Sequence, residues 1–340
     1  MKTQTAAVLS LVFANLSANI HAQDTKNFPV IGKVLRFDDA SYDLIAEDAE
    51  IEVLSSGFLW SEGPAWNKEG NYLLFSDVHN NRVHKWVEGQ GSSIYLEPSG
   101  YDGVGTYSRG SGSNGLEFDH QGLLISCEHG NRRVSSMAPG HGKRTLVDNY
   151  QGKRFNSPND LAIAANGDIY FTDPIYGIPR EKREAYRELD FAGIFLIRAG
   201  TSEATLVTKE IAWPNGVELS PDEKTLYVAE SDPQTPLISA YPLNKDGSLG
   251  DRKILFATHA QTQFRRQGPD GLHSDKQGNL WVGQLFGVSV ISPQGKLLAH
   301  IETGERTANL VFGGPNGDIL YITADTYLCR IQTKTQGRGH

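Results

Sequence analysis

The chain has 340 residues and a formal net charge of −8, with 36 glycines and 15 prolines. The acidic balance, and basic groups no longer than Arg132-Arg133 or Arg265-Arg266, exclude a nucleic-acid-binding surface. Nothing beyond the N-terminus is apolar for long enough to span a membrane, and the glycine content indicates many tight turns rather than disorder.

The first 22 residues are typical of a secretory signal peptide. Lys2 supplies a positive charge, an apolar segment runs from Ala6 to Leu16, and Ala22 ends the predicted cleavage site. The apolar segment is too short to cross a bilayer. We therefore predict a signal peptide over residues 1–22, a mature chain from about Gln23 and export to a periplasm or out of the cell. An uncleaved N-terminus is the alternative.

A short unit recurs six times along the rest of the chain. Each copy has a polar turn, an apolar run rich in leucine, aromatic or β-branched residues, a turn with Asp or Glu, and a second run. The turn positions are Gly70, Gly122, Gly167, Glu223, Gly278 and Gly317. Their spacing of roughly 40 to 55 residues is the length of a four-stranded propeller blade. We predict an all-β fold, a single six-bladed β-propeller over residues 23–340, with four-stranded antiparallel blades around a central channel.

Three further features complete the predicted architecture. Val30 to Phe37 is expected to give an extra strand to the last blade and so to close the ring. Residues 176–190 form an insert in the third blade, interpreted either as a lid over the pocket or as a plain surface loop. Cys127 and Cys329 fall in strands of blades two and six, which are not adjacent, so we expect two buried thiols rather than a disulfide.

Four polar motifs come just before predicted strands, and each offers one oxygen-bearing side chain beside Gly or Pro. The side chains are Glu62, Asn159, Asn215 and Asp270. Residues about 50 apart in the chain can converge only in a radial repeat, and oxygen ligands with two carboxylates suit a hard divalent cation such as Ca²⁺. The motifs therefore predict a metal site in the central channel, although each residue alone also fits an ordinary turn.

Longer strings around these motifs resemble the family of gluconolactonases, senescence marker protein and luciferin-regenerating enzyme, especially its bacterial lactonases. The strings are FLWSEGPAW, LLFSDVHNNRVHKW, SNGLEFDHQGLLISCEHGNRRV, GKRFNSPNDLAI, DIYFTDPIYGI, WPNGVELSPDEKTLYVAESD and GPDGLHSDKQGNLWVG. Any one string is weakly specific, but their order from about Phe58 to Ile331 is strongly specific. The resemblance implies a calcium-type six-bladed propeller hydrolase.

The resemblance also assigns roles to individual residues. The family's metal ligands fall on the same four positions, Glu62, Asn159, Asn215 and Asp270, at the top of the channel. Arg154 and Asn156 correspond to residues that contact substrate in the family, and Asp270 corresponds to its usual general base.

Residues around the second predicted blade offer additional candidates. His129 is a second candidate for the catalytic base, because its reference pKa is near neutral; the alternative is a rim histidine that bonds a backbone carbonyl. Asn114 and Glu128 are predicted to bind substrate, and an outer neighbour of the metal is the alternative role for Asn114. Asp160, Asp173 and Glu230 are expected either to orient ligands or bind a deeper ion, or simply to cap turns.

The chemistry predicted from this site is metal-assisted hydrolysis. Four protein ligands leave coordination positions open, so a lactone carbonyl bound there would be polarised and its oxyanion stabilised. No G-x-S-x-G string suggests a serine nucleophile. We therefore predict an exported, metal-dependent carboxylic ester hydrolase that opens a gluconolactone-like sugar lactone to the aldonic acid.

Several alternatives remain open at this point. The ion is expected to be Ca²⁺, with Mn²⁺, Zn²⁺ and Fe²⁺ as alternatives. The same site could hydrolyse aryl esters or phosphotriesters, could use its metal to stabilise an enolate in an isomerase or lyase, or could belong to a non-catalytic binding propeller with a structural ion. We expect a monomer whose partner is a small-molecule lactone, with no nucleic-acid or membrane partner.

Overall fold

In the residues that the structure describes, six antiparallel sheets of four or five strands form the blades of a six-bladed β-propeller, as the repeat predicts. The computed structural model describes residues 28–258, 268–284 and 286–339. The predicted signal peptide, residues 1–22, lies outside them. In the described residues, no helix is long and apolar enough to cross a membrane.

The strands are numbered in chain order. Ahead of the first blade lie β1 (Val30–Ile31), β2 (Lys33–Arg36) and β3 (Ile51–Ser56). Blade one contains β4 (Ser61–Asn67), β5 (Tyr72–Asp77), β6 (Arg82–Val87) and β7 (Gly91–Leu96), and blade two contains β8 (Ser113–Phe118), β9 (Leu124–Glu128), β10 (Arg133–Met137) and β11 (Arg144–Val147). A hairpin of β12 (Asn149–Tyr150) and β13 (Lys153–Arg154) precedes blade three, which contains β14 (Leu161–Ile163), β15 (Ile169–Asp173), β16 (Gly193–Ile197) and β17 (Ala204–Thr208). Blade four contains β18 (Pro214–Leu219), β19 (Thr225–Glu230), β20 (Leu237–Pro242) and β21 (Lys253–Ala257), and blade five contains β22 (Leu272–Ser274), β23 (Leu280–Gln284), β24 (Gly287–Ile291) and β25 (Leu297–Glu302). Blade six contains β26 (Thr307–Gly313), β27 (Ile319–Ala324), β28 (Tyr327–Gln332) and, as its fourth strand, β3.

The first strand of each blade lies innermost. Around the ring, β4, β8, β14, β18, β22 and β26 each contact the first strands of both neighbouring blades. These six strands therefore surround the central channel, and residues at their beginnings meet at one end of it.

Ring closure differs from the prediction in one detail. Val30–Ile31 does join the outer edge of blade six, but Lys33–Arg36 pairs with the outer strand of blade five. Gly32 separates the two short strands at a φ of +60°, where a Cβ would lie 1.7 Å from the Glu302 carbonyl oxygen. The strand that completes blade six is β3, which pairs with β28. Blade six thus joins N-terminal and C-terminal parts of the chain.

The core lies between blades rather than within a single central mass. The described residues form six apolar clusters, and each is shared by two neighbouring blades. In β19, Leu226 and Val228 pack towards blade three while Tyr227 and Ala229 pack towards blade five. Because side chains alternate across a strand, a strand buried on both faces needs an unbroken apolar run, which is the pattern in the repeat.

The insert at residues 176–190 lies between β15 and β16. It contains a 3-10 turn at Arg180–Lys182 and one turn of α-helix at Arg183–Tyr186. The Tyr186 ring stacks on Tyr107, in the loop between blades one and two, with centroids 5.8 Å apart and planes 6° from parallel. The insert therefore reaches across the ring towards blades one and two.

Candidate active site

A cavity of about 390 Å³ opens where the innermost strands begin. It is lined by Trp60, Glu62, Val78, His79, Gly110, Asn114, His129, Asn159, Tyr176, Asn215, Ser231, Pro233, Gly268, Asp270 and Arg306. The cavity thus brings together all four side chains that the sequence predicts as metal ligands, as well as Asn114 and His129.

Local backbone irregularities aim these side chains at the channel. Pairing with the second strand shifts register between Glu62 and Ala65 in β4, and again between Pro214 and Val217 in β18. Such β-bulges redirect side chains and are common beside functional sites. The Gly63 backbone, at a φ of +38°, passes so close to blade two that a Cβ would lie 1.9 Å from the Asn114 carbonyl oxygen. Only glycine therefore allows the two inner strands to approach at this point.

Glu62 and Asp270 place two carboxylates in a poorly hydrated space. Glu62 is 3 % exposed, and burial raises its pKa to about 7. Hydrogen bonds from the Gly63 N–H to Oε2 at 3.1 Å and from Trp60 Nε1 to Oε1 at 3.4 Å oppose this shift. Burial, and then the charge of Glu62, raise the pKa of Asp270 well above its ordinary value. Two carboxylates that disfavour each other's charge form a site that a cation would stabilise.

Asn159 offers an unpartnered oxygen to the cavity. Its Nδ2 lies 3.2 Å from His129 Nε2, and His129 Nδ1 lies 3.0 Å from the Gly110 carbonyl oxygen. Because a carbonyl only accepts, Nδ1 carries the ring hydrogen and Nε2 accepts from the Asn159 amide. Burial lowers the pKa of His129 to about 4, which keeps the ring neutral. Asn159 Oδ1 is buried without a hydrogen-bond partner in the described structure.

Asn215 is held by a chain of contacts that ends beside Asp270. Its Nδ2 donates to Ser231 Oγ at 3.0 Å, and Ser231 Oγ donates to the Pro269 carbonyl oxygen at 2.6 Å. Ser231 therefore links one predicted ligand to the segment that carries another. These contacts use the Asn215 amide nitrogen, so its oxygen is the atom suited to a cation.

The donor set fits a hard divalent cation. It comprises two carboxylates and two carboxamides, and one carboxamide oxygen is a buried acceptor without a donor. In the described residues, no group of three or more His, Cys, Asp or Glu side chains is placed to hold a metal ion. The two amide oxygens, together with two carboxylates, would therefore hold the cation.

Two of the residues predicted to bind substrate lie beside the cavity rather than in its wall. Arg154 is exposed and donates from Nη2 to the Asn131 carbonyl oxygen at 2.6 Å. Asn156 is fully buried, and its Nδ2 donates to the Phe191 carbonyl oxygen at 2.9 Å. Asp173 accepts from the Asn156 N–H at 2.8 Å, so it caps the loop that leads to Asn159.

Glu128 also points away from the cavity. It is fully buried and accepts hydrogen bonds from Arg133 Nε at 2.7 Å, Lys143 Nζ at 2.8 Å and Ser135 Oγ at 2.5 Å. Both carboxylate oxygens are engaged within blade two. These contacts form an ion-pair network, and Glu128 is not among the residues that line the cavity.

The remaining acidic candidates divide between the channel and the rim. Asp160 is buried in the channel, with Oδ2 3.5 Å from Asn309 Nδ2, and burial raises its pKa to about 8. Glu230 is bound by Arg252 at 2.6 Å. Asp160 therefore lies among the site residues, whereas Glu230 is held in an ion pair.

Several cavity residues were not predicted from the sequence. His79 and Ser231 lie within the strings quoted above but were not singled out there, and Arg306 lies outside those strings. Asn309 lies beside Asp160 rather than in the cavity wall, and it stands at the start of the sixth innermost strand, beside a register shift between Thr307 and Asn309. Its position is equivalent to those of the four predicted ligands.

Comparison with known proteins shows which family the chain is similar to. Residues 60–326 match the SMP-30/Gluconolactonase/LRE-like region. The chain is 37% identical over 326 residues to the gluconolactonase of Zymomonas mobilis, covering 93% of this chain and 90% of that protein. A Xanthomonas campestris gluconolactonase structure is 30% identical with a TM-score of 0.78, covering 90% of this chain and 97% of its own. The calcium-binding protein regucalcin of Agrobacterium tumefaciens has a TM-score of 0.67 at 14% identity, covering 92% of this chain and 96% of its own, which shows a shared fold alone. The two gluconolactonases support a lactone-hydrolysing activity.

Proposed function

We propose that this chain is a metal-dependent lactonase, which opens a sugar-derived lactone to the aldonic acid. The premise is that the chain belongs to the SMP-30/Gluconolactonase/LRE-like family. The gluconolactonases of Zymomonas and Xanthomonas support a hexonolactone as substrate. Polar groups around the cavity, among them Asn114, also favour a polyol over an apolar acyl lactone.

Glu62, Asn159, Asn215 and Asp270 would hold the divalent cation. A bound Ca²⁺ would act as a Lewis acid that polarises the lactone carbonyl. His129 and Ser231 would keep the two asparagine oxygens turned towards the ion through their contacts with the amide nitrogens. Ca²⁺ is the proposed ion because all four donors are oxygens.

Asp270 is the proposed proton acceptor. Its carboxylate lines the cavity with Glu62, and in the metal-free protein burial and the Glu62 charge raise its pKa. Water adds to the carbonyl carbon and gives up a proton, the ring C–O bond breaks, and the ring oxygen takes a proton to become a hydroxyl. His129 Nε2 already accepts from Asn159, and burial lowers its pKa, so the geometry favours a positioning role over proton transfer.

We also propose that the protein is exported and that it is a monomer. Export rests on the sequence of residues 1–22. A monomer rests on the closed ring, in which β3 pairs with the last blade and leaves no unfinished sheet.

The observation that carries the proposal is the buried, unpartnered Asn159 Oδ1 facing a cavity with two carboxylates. A substrate panel tests the activity. We expect acid release from hexono- and pentono-lactones at rates at least about 100-fold above those for aryl acetates or phosphotriesters. Preference for an aryl ester or phosphotriester would move the assignment to another hydrolase class, and no turnover with either would favour a binding protein.

A further inference from the structure

Arg306 lines the cavity, where its positive charge acts on the Asp270 carboxylate and partly offsets the rise in the pKa of that group. Arg306 comes from the loop between β25 and β26, and its side chain is exposed. The guanidinium carbon lies 4.6 Å above the centroid of the Trp60 ring. The same indole donates from Nε1 towards Glu62 at 3.4 Å. The face of the Trp60 indole therefore contacts the Arg306 guanidinium, and its Nε1–H edge contacts the predicted metal ligand Glu62.

The donors of Arg306 are uncommitted. Across residues 28–258, 268–284 and 286–339, no hydrogen bond or ion pair involves its guanidinium. Arg338 and Arg252, by contrast, each bind a carboxylate within 3 Å. A planar guanidinium carries five N–H donors and pairs with two oxygens of one anion. Within the described residues, the guanidinium of Arg306 therefore has donors available for a ligand.

Arg306 is the only lysine or arginine among the lining residues that the structure describes. A divalent ion would balance the two carboxylates of Glu62 and Asp270. The positive charge of Arg306 then remains, and it matches one negative charge on a ligand.

We propose that Arg306 binds an anionic oxygen group of the ligand at the mouth of the cavity. The assignment rests on the proposed lactonase function. Lactone opening creates such a group, because the new carboxylic acid loses its proton and leaves a carboxylate. A phosphate or sulfonate carried by the substrate has the same chemistry. The product carboxylate and a charged substituent on the substrate each offer two oxygens to the guanidinium. They differ in whether Arg306 would contribute to the turnover of a neutral lactone that carries no such substituent.

Equilibrium binding of product separates the role of Arg306 from turnover. Calorimetric titration of the Ca²⁺-loaded protein would compare D-gluconate with the neutral polyol D-glucitol. For Arg306→Gln we expect gluconate binding weaker by about 10- to 100-fold, the loss of a charged hydrogen-bonded pair, with glucitol binding unchanged. Arg306→Lys should retain part of the gluconate affinity. Arg144→Gln, an exposed arginine in β11 of blade two, is the matched control and should change neither ligand.

A kinetic arm identifies the source of the anion. The kcat/KM of wild type and Arg306→Gln would be compared for glucono-δ-lactone and for the same lactone phosphorylated at carbon six. A loss confined to the phosphorylated lactone, with gluconate binding intact, would assign the site to a substrate substituent. Unchanged gluconate binding together with unchanged kinetics on both lactones would overturn the proposal. A wild type inactive on every lactone would instead overturn the lactonase function, while gluconate binding would still test Arg306.

Discussion

Arg338 closes the far end of the channel through a buried ion pair with Glu218. Its Nε lies 2.9 Å from Glu218 Oε1, and the carboxylate also lies 3.0 Å from His273 Nδ1. Glu218 stands on β18, the strand that begins at the cavity with Asn215. The C-terminal segment is fixed there by the Arg338 N–H, which donates to the Ser274 carbonyl oxygen at 3.0 Å. The C-terminal segment therefore lies against the ends of the innermost strands that are remote from the cavity.

Removing Arg338 is expected to destabilise the fold without changing the chemistry of the site. Arg338→Met would leave Glu218 buried with one cation fewer, and such a loss costs about 3–5 kcal/mol. Urea unfolding at pH 7 measures it. Arg144→Met, on an exposed strand, should change the free energy of unfolding by less than about 0.5 kcal/mol.

The pH dependence of this stability has a definite sign. Against the effect of burial, Arg338 and His273 lower the pKa of Glu218 from 4.5 to about 2. Its contribution is therefore fully present above pH 4.5 and is lost as the pH falls from 4.5 towards 2. The deficit of Arg338→Met should shrink over that interval, because a neutral Glu218 no longer needs a cation. An equal deficit at pH 7 and pH 2.5 would contradict the assignment.

Neutralising either predicted carboxylate ligand should abolish turnover and spare the fold. Glu62→Gln and Asp270→Asn keep the side-chain shape but remove one charge from the cation site. We expect kcat/KM to fall by at least about 100-fold. In metal-free protein, the melting temperature should stay the same or rise, since burial disfavours both charges. Full activity in both variants would remove the basis for the metal assignment.

His129→Ala distinguishes a base from a positioning residue. We predict a loss of roughly 100-fold in rate in either case. If His129 orients Asn159, the variant should also bind Ca²⁺ more weakly, because the amide of Asn159 is then free to rotate. Calorimetry measures this directly. Unchanged Ca²⁺ affinity with a large rate loss would return the base role to His129.

Substitutions at Tyr176 test whether the insert at residues 176–190 shapes the cavity. Its hydroxyl donates to the Trp213 carbonyl oxygen at 3.1 Å, and the two rings stack with centroids 6.1 Å apart. Tyr176→Ala should raise KM several-fold with a smaller effect on kcat, because a wall of the cavity is lost. Tyr176→Phe keeps the stacked ring and should stay within about twofold of wild type. Equal KM values in all three proteins would identify the insert as a plain surface loop.

The fold was predictable because every blade contains strands that are buried between two neighbouring blades. A strand packed between two neighbours must be apolar on both faces, so Leu226 to Ala229 form an unbroken apolar run. The strand that closes the ring was not predictable from the repeat. Whether Val30–Ile31 or Ile51–Ser56 completes blade six depends on long-range pairing with β28, which leaves no local signature.

The site was only partly predictable from the sequence. Glu62 and Asp270 stand beside glycines at the beginnings of inner strands, so the repeat itself brings them into one cavity. Glu128 ends a second strand, and its partner Lys143 lies 15 positions further along the chain, so neighbouring residues gave no indication of its direction. Arg306 belongs to a loop outside the motifs, and only the structure places it over Trp60.

The central claim is metal-dependent lactone hydrolysis in this cavity. The most direct measurement is acid release from glucono-δ-lactone by the purified protein, first after chelation and then after addition of Ca²⁺, Mn²⁺, Zn²⁺ or, under anaerobic conditions, Fe²⁺. We expect chelation to abolish acid release and Ca²⁺ to restore it. Undiminished acid release from the fully chelated protein would show that lactone hydrolysis does not need a metal.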